Sequence, residues 1–280
     1  MRKEIDNYIQ FLLEKKRSPY NTRMSYERDL RQFREFLEDR GHQSLSMVKA
    51  DDVKAYLKFQ QENGMAASSI SRGLAAIRSF FKYCLYNRLV SADPSMMITP
   101  PKQERKTPEI LSLDEVNKLL EQPKLHNLKG KRDRAMLETL YATGIRVSEL
   151  VSLSVDNVNV VKKTFSISDR KTRNLPVSDK AMTALTEYIQ TARIQMIKAR
   201  NEKILFVNCS GAPMTRQGFW KIVKEYAKAA DVARDISPHM LRHSFAAHQL
   251  ASGADLHRLK ELMGHADIAA TQIYLNTAAR

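Results

Sequence analysis

Four short clusters in this chain hold side chains able to do chemistry: Ala142-Thr-Gly-Ile-Arg146-Val-Ser-Glu149-Leu150, His239-Met-Leu-Arg242-His243, Leu262-Met-Gly-His265 and Thr271-Gln-Ile-Tyr274. Arginine stays charged and presents a planar fork that matches an oxyanion. Histidine, with a pKa near neutrality, can move a proton. A tyrosine hydroxyl can act as a nucleophile and form a covalent intermediate. Each cluster alone also has a plainer reading. Arg146 could only pair with Glu149. His239 and Arg242, three apart on a helix, share a face and could be a surface pair. His265 after Gly264 could serve a helix C-terminus, and Tyr274 between Ile273 and Leu275 could be a packed aromatic.

These residues need a scaffold, and the chain supplies two kinds of one. The first hundred residues read as helices. Ile5, Tyr8, Ile9, Leu12 and Leu13 fall at helical spacing, as do Met24, Tyr26, Leu30, Phe33 and Leu37, a stripe that Gly41 ends. Asp51 or Asp52 starts a third helix with Val53 and Leu57, stopped at Gly64. Ser68 caps a fourth that carries Ile70, Leu74, Ile77, Phe81 and Leu85. Residues 91–109 hold four prolines and a charged run, an extended linker. Beyond it, Ser112-Leu-Asp-Glu115 is a capping box. Residues 131–143 form an amphipathic helix, and 164–168 and 173–178 form a hairpin around the polar turn 169–172. Helices over 180–199 and 215–230 flank a short strand at 204–207. Ser237-Pro238 opens a helix to about Ala251, and shorter helical pieces broken at Gly253 and Gly264 complete the chain. The expected fold is mainly α with a small β-sheet: a helical domain over 1–92, a linker over 93–109 and a second domain over 110–280.

Lys and Arg number 46 against 31 acidic residues, a net charge of +15, which favours nucleic acid as the polyanionic partner. Candidate phosphate contacts are Arg72, Arg78 and Lys82 on the fourth helix and Lys102, Arg105 and Lys106 in the linker. Cys84 and Cys209 have neither zinc-site nor disulfide spacing. The N-terminus is not a signal peptide, and no stretch is apolar enough to span a membrane. An intracellular, cytoplasmic protein is expected. Neither a Walker loop nor a carboxylate cluster typical of metal nucleases is present.

Taken together and in this order, Arg-Val-Ser-Glu-Leu, His-x-Leu-Arg-His, Leu-Met-Gly-His and the final Tyr resemble the tyrosine site-specific recombinases, the Xer-type and transposon-borne members above all. The likeness covers essentially the whole chain: a helical DNA-clamping domain, a linker and a catalytic domain. It implies that Tyr274 attacks a DNA phosphodiester to give a 3′-phosphotyrosyl intermediate, on the way to a Holliday junction. Arg146 and Arg242 would stabilise charge on the non-bridging oxygens. His239 would handle the tyrosine proton or bond the phosphate, and His265 would add a phosphate hydrogen bond. The covalent link conserves the phosphodiester energy, so neither metal nor cofactor is implied. The family's hairpin lysine, which protonates the leaving 5′ oxygen, corresponds best to Lys171. Arg170 and Arg173 are then phosphate contacts, with Lys162 and Lys163 in reserve.

The usual Gly-Lys-Gly turn is absent here, a departure that favours a mobile-element resolvase over chromosome-dimer resolution. Rival readings are a type IB topoisomerase, an integrase that works with an excisionase, and a DNA-binding regulator that has lost catalysis. The family acts as a homotetramer on two synapsed duplex sites. Relatives usually carry a further helix after the tyrosine. The tail Leu275–Arg280 is too short for an isolated helix, so a monomer in free solution that assembles on its sites is expected.

Overall fold

Ile5, Tyr8 and Leu12 lie on one stripe of α1 (Arg2–Glu14), and all three are buried. They pack against α2 (Tyr20–Asp39), whose Leu30, Phe33 and Leu37 form the matching stripe, with α3 (Ala50–Glu62) and α4 (Ala67–Tyr86) completing the core. Tyr8 meets Phe80 edge to face at 5.5 Å, and Phe33 lies 5.0 Å from Tyr56. Such pairs add to the burial of the rings themselves. The start of α4 differs from expectation. Its cap position is Ala66, and no side chain caps it. α3 is capped at Lys49, whose amide donates to Asp52 at 2.8 Å.

The computed structural model describes residues 1–102, 107–168, 172–199, 201–232 and 234–278, and at Asn276 and Ala278 the backbone alone. The chain divides into two compact units, Met1–Arg105 and Lys106–Arg280. Residues 93–98, within the stretch expected as linker, are bonded and packed in the first unit. Asp93 accepts from the amide and hydroxyl of Ser95, Ile98 is buried in the first core, and Arg78 donates to the carbonyls of Ser95 and Ile98. Among the described residues no helix is long and apolar enough to cross a membrane.

The second unit opens on α5 (Leu113–Glu121), where Ser112 and Glu115 form the capping box read from the sequence. α6 (Leu128–Thr143) is buried on most of its faces, as a central helix must be. α7 (Val147–Ser152) follows a sharp turn. A three-stranded antiparallel sheet comes next: β1 (Val158–Asn159), β2 (Thr164–Ser168) and β3 (Thr172–Pro176), in the order β1-β2-β3 with Phe165 opposite Leu175. α8 (Asp179–Glu187) runs into a π-helical stretch, Tyr188–Arg193, and then the single turn α9 (Ile194–Met196). Residues 204–207 were expected as a strand. They make isolated bridges instead, Ser154 to Ile204 and Val207 to Pro213. Apolar character there reflects burial of Leu205, Phe206 and Val207 in the core rather than ladder pairing.

α10 (Arg216–Ala229) and α11 (Pro238–Ala251) follow, the latter capped by Ser237 with proline in its first turn. Ser244 on α11 accepts from the Leu111 amide at 2.8 Å and donates to the Met240 carbonyl. α12 (Leu256–Met263), α13 (Ala269–Gln272) and α14 (Leu275–Ala278) end the chain. The last of these is a single turn. Thr277 is buried there and donates to the Tyr274 carbonyl at 2.8 Å.

Candidate active site

Gly144 ends α6 in the left-handed conformation (φ +58°), and a Cβ there would overlap the ring of Phe245. The chain can therefore turn tightly against α11 and deliver Arg146 to the head of α7. Arg146 is held by a capping box with Glu149: its amide donates to one carboxylate oxygen at 2.9 Å, and its guanidinium to the other at 3.0 Å. A further guanidinium nitrogen donates to the Gly264 carbonyl. Arg173, on β3, reaches the same carboxylate at 2.7 Å. Glu149 thus fastens the hairpin to the first arginine, and these two cations hold its carboxyl below the ordinary range against the opposing effect of burial.

Gly264 closes α12, again left-handed (φ +63°). A Cβ there would lie 2.6 Å from the Arg173 guanidinium and 3.1 Å from that of Arg146. Glycine at this position lets both arginines cross the backbone. Arg242, 7% exposed, donates to the carbonyls of Gly144 and Met263. Burial, with Arg146 as second cause and Arg173 as a lesser one, lowers its pKa to about 10, so it remains charged at neutral pH. Two guanidiniums thus share the Glu149 carboxylate while the third, among the described residues, bonds only carbonyls and His265, an arrangement that favours an incoming anion.

His265 has a determined tautomer. Arginine has donors only, so its 3.2 Å contact from Arg242 makes His265 Nε2 the acceptor. The proton then sits on Nδ1, which donates to Thr271 at 2.9 Å. Burial first, then Arg242 and Arg146, push His265 down to about 4. Tyr274 is 2% exposed. Its ring stacks at 6.5 Å and 17° over His265, and its hydroxyl lies 2.7 Å from Nδ1 of His243. Burial raises the tyrosine pKa, with Arg242 pulling the other way.

The structure thus gathers Arg146, Arg242, His265 and Tyr274. It also adds Glu149 and His243, which sequence reasoning quoted without assigning. His239 is exposed, and its side chain makes no hydrogen bond with another described residue. Lys171 and Arg170, like Arg105 and Lys106, lie outside the described residues. Lys163 is paired with Asp179, and Lys162 is exposed. Arg173 sits inside the site, its Nε buried without a partner among the described residues. The fourth-helix arginines have internal partners. Arg72 makes a two-pronged pair with the buried Asp29 at 2.8 and 3.0 Å, and Arg78 holds the carbonyls of Ser95 and Ile98. Lys82 and Lys102 are exposed.

Residues 109–280 match the phage integrase family, and residues 5–87 match the N-terminal SAM-like domain of phage integrases. The chain is 38% identical over 276 residues to the tyrosine recombinase XerD of Staphylococcus epidermidis (strain ATCC 12228 / FDA PCI 1200), which covers 98% of this chain and 94% of that protein. It is 37% identical over 277 residues to XerD of Staphylococcus aureus (strain N315), with the same coverage of 98% and 94%. The fold matches the XerH recombinase bound to a palindromic difH substrate (TM-score 0.80, 20% identity, 99% of this chain and 82% of that one). It also matches a lambda integrase dimer bound to a COC′ core site (TM-score 0.78, 15% identity, 98% and 94%). The chain belongs to the phage integrase family, and it is a tyrosine site-specific recombinase that cleaves and rejoins DNA.

Proposed function

We propose that Tyr274 is the nucleophile of this recombinase and that Arg146, Arg242 and His265 form the centre that receives the scissile phosphate. The supporting observation is the convergence itself: the part-buried Arg146 and the buried Arg242 bond the carbonyls of Gly264 and Met263, and the Tyr274 ring stacks on His265, which Arg242 contacts. As the tyrosine oxygen bonds to phosphorus, charge grows on the non-bridging oxygens, and preorganised guanidiniums stabilise it most when water is excluded. Neutral His265 orients Arg242. Arg173, whose Nε has no partner among the described residues, adds a donor from the hairpin. Lys171, two positions before it in sequence, protonates the 5′ oxygen as it leaves. Lys82 and Lys102, with Arg105 and Lys106, track the phosphate backbone.

In this reading the protein works in the cytoplasm on duplex DNA. It assembles as a tetramer on two synapsed sites through a Holliday junction, and it resolves dimers or transposon cointegrates. A nicked suicide duplex carrying the protein's own site, recovered by selection from random sequence, traps the covalent complex. Tyr274→Phe should abolish trapping and keep binding, because phosphate contacts dominate affinity. Covalent capture by the phenylalanine variant would refute the assignment.

A further inference from the structure

His239 and His243 stand four apart on α11, so their rings share one face of the helix, with Cβ atoms about 5–6 Å apart. A helical side chain leans back over the preceding turn, which brings the His243 ring towards His239. The two are close enough for the charge of His239 to be felt at His243. Nδ1 of His243 meets the Tyr274 hydroxyl at 2.7 Å, and its ring lies 5.5 Å from the tyrosine ring. Its Nε2 has no hydrogen bond with another described residue, and neither has the ring of the exposed His239. Arg242 lies between them in sequence, but its guanidinium is turned to the carbonyls of Gly144 and Met263. One face of α11 therefore offers two imidazole nitrogens beside the tyrosine.

This is the spacing of the His-x-x-x-His pairs that hold zinc from one helix, through Zn–N bonds of about 2.0–2.1 Å. We infer that His239 and His243 together bind a divalent transition-metal ion such as Zn²⁺, and that the bound ion blocks strand cleavage. Imidazole suits zinc and its neighbours, whereas Mg²⁺ and Ca²⁺ prefer oxygen and gain nothing here. With two protein ligands, water fills the remaining positions, so the ion can exchange. On His243 it takes the Nε2 lone pair. The ring proton then sits on Nδ1 and is donated to the Tyr274 oxygen. On His239 it withholds the side chain that the family resemblance reserves for the tyrosine proton or the phosphate. The effect on cleavage rests on the reading of Tyr274 as nucleophile; the binding of the ion does not.

The test uses the full chain with Cys209→Ser, which removes an exposed thiol as a competing zinc ligand. Calorimetric titration with Zn²⁺ should show saturable binding, with the NMR signals of Nε2 in His243 and of the His239 ring shifting together. His239→Gln and His243→Gln should each weaken it by more than about tenfold, a loss that even an outer partner of a metal ligand can cause. His257→Gln, on α12, should leave it unchanged, and Mg²⁺ should give no binding heat. Binding that survives either substitution on α11 marks an adventitious ion only and overturns the site, as does the absence of saturable binding. With both histidines in place, saturating Zn²⁺ should slow single-turnover cleavage of the nicked suicide duplex about 10²-fold, within the contribution of an acid–base group, and EDTA should restore it. Full-rate cleavage by the zinc-loaded protein would overturn the block. If Tyr274→Phe still forms covalent complexes, the nucleophile reading fails while the binding result stands.

Discussion

Gly264→Ala is the sharpest probe of the arginine centre, because a control for its backbone strain exists in the same fold. Gly264 and Gly253 both have left-handed backbones, φ +63° and +85°. Alanine in that region costs roughly 1–2 kcal/mol at either site. Their surroundings differ. At Gly253 nothing lies within 4 Å of the added methyl, whereas at Gly264 it meets Arg173 at 2.6 Å and Arg146 at 3.1 Å. The guanidiniums must then move, loosening the Arg146 bond to the Gly264 carbonyl and the Arg173 pair with Glu149. Charge-assisted bonds of this kind contribute about 1.5–3 kcal/mol each, and losing one oxyanion donor slows a reaction about 10²–10³-fold. Gly253→Ala should therefore lose stability in urea and cleave at the normal rate. Gly264→Ala should lose about 2 kcal/mol more and cleave at least 10²-fold more slowly. Urea titration and single-turnover suicide cleavage measure the two effects. Equal cleavage rates in the two variants would refute the view that both arginines need a bare Cα to cross.

Other expectations follow from the same contacts. Arg242→Lys should keep DNA binding and lose cleavage by about 10²-fold or more, since a point charge cannot serve the carbonyls of Gly144 and Met263 together with a phosphate; cleavage within a few fold of wild type would contradict this. His243 and His265 titrate near 4 in the fold against an ordinary 6.5. The unfolded chain therefore binds more protons between these values, and stability should fall as pH drops from about 6.5 towards 4, by at most about 1.4 kcal/mol per unit per histidine; urea midpoints that do not change over this range would count against it. Lys171→Ala should cripple cleavage of ordinary DNA and recover on a 5′-bridging phosphorothioate, whose thiolate leaves unprotonated; rescue seen only with Lys162 or Lys163 variants would move the acid. Arg72→Ala should destabilise the first unit by about 1.5 kcal/mol by leaving the buried Asp29 with Arg28 alone, 3.7 Å away, an effect that Asp29→Asn in the same chain should relieve; unchanged thermal unfolding would dismiss it.

Features governed by local rules were legible in the sequence. The Ser112 capping box, the Ser237-Pro238 start and the buried faces of α1 and α2 depend on neighbours within a turn or two. The motif order singled out Arg146, His239, Arg242, His265 and Tyr274, and the fold brings all of these but the exposed His239 into bonded or stacked contact. Partnerships across long separations were hidden. Arg72 looks like a basic surface residue until α2 brings Asp29 beside it, 43 positions away. His243 follows Arg242 directly, and adjacent helical residues point in different directions. Only the path of the chain after α12 shows that the tyrosine approaches from the side of His243. The misread strand at 204–207 was an apolar run, a pattern that buried loop and strand share.

The bond from the Leu111 amide to Ser244 joins the start of the catalytic unit to the residue immediately after His243. A pull on the chain just ahead of α5 is therefore felt at the helix that carries the second arginine, and a shift of that helix is felt in turn by the incoming chain. The Leu111 amide should exchange its hydrogen slowly while this link holds and quickly once it parts. Its exchange rate gives a local gauge of whether α11 stays seated when DNA is engaged.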